Sequence, residues 1–252
     1  MASHLYLSPH LDDVVISCGG LIAQQAATGE LVSVLTICAG DPPPGSLSPF
    51  VLELPERWGG SSSPIGVRRA EDRVACGRLD AVVVHLDIPD AIYRRDPEGE
   101  LLYPSESEII GPVHMKEQDL IQHLADLLKE QCPPEFRIYS PIGMGGHVDH
   151  HLTRRAAERL DLPLWYYYDL PYAARGEILP LELGYPPGIE IIWPLSSGEI
   201  DAWAAAVAMY QSQLSTFWTD MQSLHQELRD YHDTYDGLRI LKPEGEVRIN
   251  HL

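Results

Sequence analysis

Residues 5–37 read LYLSPHLDDVVISCGGLIAQQAATGELVSVLTI, and this stretch decides the fold. Leu5-Tyr6-Leu7 is a short apolar run of the length of a buried strand. Val14, Cys18, Leu21, Ile22 and Ala26 recur at helical spacing, which predicts a helix running to about Thr28 and stopped by Gly29. Leu31 to Ile37 is rich in β-branched residues, as in a strand covered on both faces. Strand, helix and strand within about thirty residues make a βαβ unit, and such a unit belongs to a parallel sheet.

The same alternation continues outward. Val67 to Leu79 predicts a second helix and Ala81 to Leu86 a third strand. Leu120, Ile121, Leu124, Leu127 and Leu128 mark an amphipathic helix that ends before Pro133-Pro134, and Phe136 to Ser140 is a fourth strand. His150 to Leu160 reads as helix, and Leu164 to Tyr168 and Ile189 to Trp193 as two more strands. Ile200, Trp203, Ala204, Val207, Tyr210 and Leu214 predict one helix. Trp218, Met221, Leu224 and Leu228 suggest further helix, and Lys242-Pro243-Glu244-Gly245 a turn between two short end strands. No internal repeat or boundary divides the chain. The expected architecture is a single α/β domain over residues 1–252, with a Rossmann-like, open, mostly parallel sheet and helices on both faces. In such sheets ligands bind beyond the carboxyl ends of the strands where strand order reverses, which in the common order lies between the first and fourth strands.

Two motifs fall just after those two strands: His10-Leu11-Asp12-Asp13 and His147-Val148-Asp149-His150. Adjacent carboxylates between a strand and a helix cost desolvation unless something pairs with them, and a divalent metal is one such partner. His10 and Asp13 are three positions apart, so a tight turn brings both side chains to one point. His10, Asp13 and His150 on one ion make a ligand set of two imidazoles and a carboxylate, common for catalytic zinc, although another divalent metal would also be served. Zinc lowers the pKa of a bound water from about 15.7 to about 7. Asp12, beside a ligand but not itself one, is placed to act as general base. Protonated His147 would stabilise an oxyanion and protonate a leaving amine, with Asp149 orienting it and favouring its charged form. These roles add up to amide hydrolysis through a tetrahedral intermediate. The ordinary readings are a solvated turn for the first motif and a helix cap for the second.

Other candidates are weaker. Asp41, just past the second strand, points toward the same crevice, and Arg68 would reach substrate hydroxyls unless it pairs with a neighbouring acid. Trp165-Tyr166-Tyr167-Tyr168 offers a platform for a sugar ring or plain strand packing. Gly19-Gly20 would admit a ligand or a close helix contact. His151 reads as a helix-surface residue, and His85, His114 and His123 as structural or solvated. A connection as long as Ala39–Gly66 is usually functional or disordered, and it is read as a lid over the site, with a solvated insertion as the alternative; Asp87–Met115 is a second long connection.

Composition narrows the classes. A net charge of −19 over 252 residues argues against nucleic acid and against an anionic membrane surface. Four widely spaced cysteines without a C-x-x-C pair suggest reduced core thiols in a cytoplasmic protein. No segment is long enough to span a bilayer. H-E-x-x-H, G-x-S-x-G, a P-loop and a dinucleotide fingerprint after the first strand are all missing.

Pro9-His10-Leu11-Asp12-Asp13 resembles the Pro-His-x-Asp-Asp signature of the LmbE-like, or GlcNAc-phosphatidylinositol de-N-acetylase (PIG-L), superfamily, and His147-Val148-Asp149-His150 its His-x-Asp-His signature. Arg68 to Glu71, Tyr168-Asp169-Leu170-Pro171-Tyr172 and Tyr210-Gln211-Ser212-Gln213 resemble it as well. The resemblance implies a zinc-dependent deacetylase acting on a small amino-sugar substrate of N-acetylglucosamine type. It carries metal ligation to His10, Asp13 and His150, the general base to Asp12, and oxyanion stabilisation to His147 with Asp149 behind it. Three positions depart from the family pattern: Leu11 where proline is common, Val14 where glutamate is common, and Gly145 where some sugar deacetylases carry a tyrosine. The alternatives are a metal-dependent amidase on a non-sugar or thiol-conjugate amide, and a non-catalytic sugar-binding module of the same fold. Homo-oligomerisation stays open.

Overall fold

The structure, a computed structural model, describes residues 2–45, 47–52, 64–180 and 183–244. Its first strand, β1 (Ser3–Ser8), is buried from His4 onward. It lies between β2 (Leu31–Thr36) and β4 (Arg137–Pro141), parallel to both. With β3 (Val82–His85), β5 (Leu164–Tyr167), β6 (Ile189–Trp193) and β7 (Leu238–Lys242), the described residues form a seven-stranded sheet ordered β3-β2-β1-β4-β5-β7-β6. The first five strands in that order are parallel, and β7 runs antiparallel between β5 and β6. The expected α/β architecture is therefore present, with the order reversing between β1 and β4.

Crossovers between parallel strands are right-handed as a rule, and that rule places the helices. The chain steps one way from β1 through α1 (Asp13–Ala27) to β2 and through α2 (Pro64–Arg78) to β3. It then returns through α3 (Gln118–Gln131) to β4 and goes on through α4 (Val148–Ala157) to β5, so these helices cover the opposite face. Near its end α5 (Ser197–Val207) packs on α1 and α2, and α7 (Met221–Tyr235) packs on α5, while α3 packs on α4. The contact of α1 with α5 is close because Gly19 has no side chain: a Cβ there would lie 2.4 Å from Trp203 Cδ1. Gly19-Gly20 is thus a helix-on-helix contact and not a ligand entry.

Several boundaries differ from expectation for identifiable reasons. α4 begins at Val148 because the His147 ring caps it, Nδ1 accepting the Asp149 N–H at 3.1 Å. The single helix expected over 200–214 is split into α5 and α6 (Gln211–Phe217). Tyr210 stands at the break, and its hydroxyl donates to buried Asp72 on α2 at 2.7 Å. The final strand inserts between β5 and β6 instead of forming an end hairpin, and the rest of that expected hairpin, residues 245–252, lies outside the described residues. Trp165 to Tyr168 is strand packing and no platform: all four are buried, and Tyr167 donates to the Leu7 carbonyl at 2.9 Å. His151 is fully buried, a correction to its surface reading, because α4 lies against the loop 143–146. The four cysteines are buried and free. Among the described residues no helix is long and apolar enough to cross a membrane.

Candidate metal centre

β1 and β4 are neighbours, so the turns that follow them meet at the carboxyl edge of the sheet. Ser8 shapes the first turn: its hydroxyl donates to the His10 carbonyl at 2.7 Å and accepts the Val14 N–H at 3.2 Å. The His10 N–H then donates to Asp13 Oδ2 at 2.8 Å, which closes the turn and points both side chains inward. The second turn holds Gly143 at φ 97° and Gly145 at φ 76°, a left-handed backbone suited to glycine, before α4 carries His150 in its first turn.

His10 Nδ1 lies 3.1 Å from Asp13 Oδ2, and His150 Nε2 lies 3.3 Å from the same oxygen. One atom from each of the three residues falls within 4.8 Å of the others, and all three residues are buried. Each imidazole rests its rear nitrogen on a carboxylate. His10 Nε2 is 3.0 Å from Asp149 Oδ2, and His150 Nδ1 is 2.7 Å from Asp169 Oδ1. Asp169 is itself fixed by the N–H groups of Gly143 and Met144, at 2.7 and 2.8 Å. A carboxylate behind a histidine selects the tautomer whose free lone pair faces forward, the arrangement usual behind metal-binding histidines.

The electrostatics fit a cation. Burial works to lower the His10 pKa, but Asp90 and Asp13 outweigh it and hold the pKa well above the usual histidine value. Burial likewise opposes charge on His150, yet Asp13 and Asp169 raise it to about 10. Burial would lift Asp13, and the two imidazoles instead drive it well below the ordinary carboxylate range. A cluster that draws protons onto two buried imidazoles is one in which a divalent ion can replace those protons. The donor set of two imidazole nitrogens and one carboxylate oxygen suits zinc.

Asp12 stands beside this set without belonging to it. Its carboxylate faces Arg68 Nη2 at 3.6 Å, and burial, partly offset by Arg68, raises it to about 6. Asp12, Asp13, Arg68, His147 and His150 line one cavity of about 340 Å³, together with Tyr172. The Tyr172 ring occupies the space left by Gly145, where a Cβ would fall 2.6 Å from it. The described part of the expected lid contributes Phe50 to this cavity, while residues 46 and 53–63 of that stretch lie outside the described residues.

Three expectations are corrected. The Asp149 carboxylate does not hold the His147 ring: it is turned to His10 and to Arg94, and Asp149 reaches His147 through its backbone N–H. Asp149 does favour the charged form of His147, as expected, but burial, reinforced by nearby His10, outweighs it and pushes the His147 pKa well below the usual value. Asp41 is not brought to the cavity: it is exposed and pairs with Arg69 at 2.7 Å. Asp90, Arg94 and Glu117 surround the centre although no sequence reading singled them out, and Asp169 joins them from the family-like stretch 168–172, which carried no role for it. His10, Asp90, His147 and Asp149 form a second group of donors within 4.8 Å of one another, sharing His10 with the first.

A family model described as GlcNAc-PI de-N-acetylase (PIG-L) matches residues 5–160, a region that contains both motifs. The chain is similar to a 2'-N-acetylparomamine deacetylase of Niallia circulans, 30% identical over 185 residues, which are 67% of this chain and 66% of the relative. It is similar to a 2'-N-acetylparomamine deacetylase of Streptomyces fradiae, 31% identical over 189 residues, 71% of this chain and 60% of the relative. The matches thus span less than two thirds of either relative's length. The crystal structure of the zinc-inhibited form of a teicoplanin deacetylase matches with a TM-score of 0.78 at 25% identity, covering 97% of this chain and 100% of the other.

Proposed function

Since the chain belongs to the PIG-L (GlcNAc-PI de-N-acetylase) family, we propose that it is a zinc-dependent N-deacetylase that hydrolyses the acetamide of an N-acetylglucosamine-type amino sugar. One observation carries the reading: His10 Nδ1, Asp13 Oδ2 and His150 Nε2 converge, and the carboxylate of Asp12, outside that set and paired with Arg68, lies beside them in the same cavity. The deacetylase names of the relatives support the reaction class.

The three converging residues would hold the ion. Zinc bound there supplies Lewis acidity, which brings the pKa of a water to around 7 and polarises a substrate carbonyl. Asp12 takes the proton of the attacking water at its carboxylate. Arg68 keeps that carboxylate in place across the cavity. His147 Nδ1 accepts the Asp149 N–H, so a neutral His147 carries its proton on Nε2 and donates from there to the developing oxyanion. With a charged His147 disfavoured by burial, Asp12 is the group that returns a proton to the leaving amine. Four buried, free cysteines support a reducing, cytoplasmic setting, and we read the chain, 1–252, as one domain.

The test is acetate release from a panel of N-acetylated amino sugars by the zinc-loaded protein. Turnover that depends on Asp12 is the expected result. Sugar binding without acetate release at any zinc load would instead establish a non-catalytic module, and turnover confined to non-sugar amides a different amidase.

A further inference from the structure

We propose that Arg94 is a positioning residue of the metal centre: through Asp149 it fixes the His10 ring with Nδ1 turned to Asp13, and through Glu117 it ties that ring to the connection 87–117. The inference rests on the metal reading above and assigns work to residues that no motif contains.

Arg94 is buried and four hydrogen bonds leave its guanidinium. Nη1 donates to Asp149 Oδ1 and, at 3.2 Å, to the Pro89 carbonyl. Nε and Nη2 form a fork on the two oxygens of Glu117, the second arm at 3.2 Å. Glu117 Oε2 also accepts the Tyr103 hydroxyl at 2.6 Å, and the same tyrosine oxygen accepts the His114 N–H at 2.7 Å. On the other side, Asp149 Oδ2 accepts the Ala91 N–H at 3.0 Å and meets His10 Nε2 at 3.0 Å. A continuous chain of contacts therefore runs from Tyr103 through Glu117, Arg94 and Asp149 to His10.

Each link has a physical reason. A histidine binds metal through one nitrogen only when the other holds the ring in the right tautomer and rotation. Asp149 does this for His10 only if it stays turned toward it, and a buried carboxylate stays put when its second oxygen is also engaged. Arginine is the residue that can engage Asp149 and grip Glu117 at the same time, since its planar fork offers five donors in fixed directions. Lysine keeps the charge and loses the fork. Arg94 also sits in the connection whose Asp90, Ile92 and Ile109 line the cavity, so one guanidinium holds the cavity wall and the His10 ring in register.

The experiment is a chelator-competition titration of the full chain with Co2+, a spectroscopic stand-in for zinc, in the wild type, Arg94→Lys and Glu117→Gln. The visible bands of bound Co2+ report the ligand geometry, which a purely structural role for Arg94 would leave unchanged. The expected result is one Co2+ bound by the wild type, affinity lowered about 10–100-fold in Arg94→Lys with altered bands, and a smaller change in Glu117→Gln. Glu117→Gln keeps the shape of the fork, so it carries the test where Arg94→Lys does not fold, and an unchanged affinity and spectrum in it would then overturn the assignment. Wild-type affinity with wild-type bands in a folded Arg94→Lys overturns the role of Arg94 while leaving the metal reading intact. No Co2+ binding by the wild type overturns the metal reading, and the Arg94 assignment with it.

Discussion

Asp13 is the residue on which the centre turns, because one of its oxygens receives the His10 N–H and faces both imidazoles. Its neighbour Asp12 has the same side chain and, in the proposed reaction, a different task, and the difference comes from where the turn points each carboxylate. Asp12→Asn should therefore keep the metal and lose about 10²–10⁴-fold in kcat, the usual contribution of a general base. Metal content and turnover measured on one sample check this, and full activity in Asp12→Asn removes the general-base assignment. His150→Ala should lose the metal; stoichiometric zinc retained in that variant removes the ligand assignment. Asp169→Asn weakens the hold on His150 Nδ1 and should lower metal affinity about 10–100-fold, and unaltered affinity in a competition titration would show that Asp169 serves only the 143–144 backbone. The two motifs were legible because their residue types are expensive in a strand-to-helix turn without a cation. Arg94 and Glu117 were not, since a charged residue in a long connection is ordinarily solvated and their partners are far away in sequence.

Elements obey the same logic at larger spacing. The hydrophobic periodicity revealed β1, α1, β2, α3 and β4 because each buries a regular face, and it missed the break after Val207, which depends on a tertiary bond from Tyr210 to Asp72. It also could not see β7 entering between β5 and β6, because strand order on an antiparallel edge is set by partners and not by local pattern. The α1–α5 contact predicts that Gly19→Ala destabilises the fold by about 1–3 kcal/mol through overpacking against Trp203. Equal denaturation midpoints for Gly19→Ala and wild type would show that the two helices can shift apart. In β1, His4 is buried between the Tyr139 hydroxyl and Glu30 at 3.1 Å each. Burial, opposed by Glu30, lowers its pKa below the ordinary 6.5. The unfolded chain then takes up a proton that the folded chain refuses, so this contribution to stability is present above pH 6.5 and is lost as the pH falls toward the folded value. Urea midpoints at about pH 5 and about pH 8 should differ less in His4→Gln than in the wild type; an identical difference assigns the acid sensitivity to other groups.

For the whole molecule, topology is what makes the centre. Strands β1 and β4 are far apart in the chain and adjacent in the sheet, so two half-sites meet where the strand order reverses. A ligand that binds the folded chain alone stabilises all of it, and zinc at a hundredfold excess over its Kd should add about 2.7 kcal/mol. That gain appears as a rise in Tm that chelator reverses and that His150→Ala lacks; a zinc-independent Tm in the wild type would contradict it. The most direct measurement is an anomalous difference map at the zinc edge from crystals of the zinc-loaded protein. The account predicts a single strong peak bounded by His10 Nδ1, Asp13 Oδ2 and His150 Nε2. A peak seated instead among Asp90, His147 and Asp149, or no peak at either group, would contradict it.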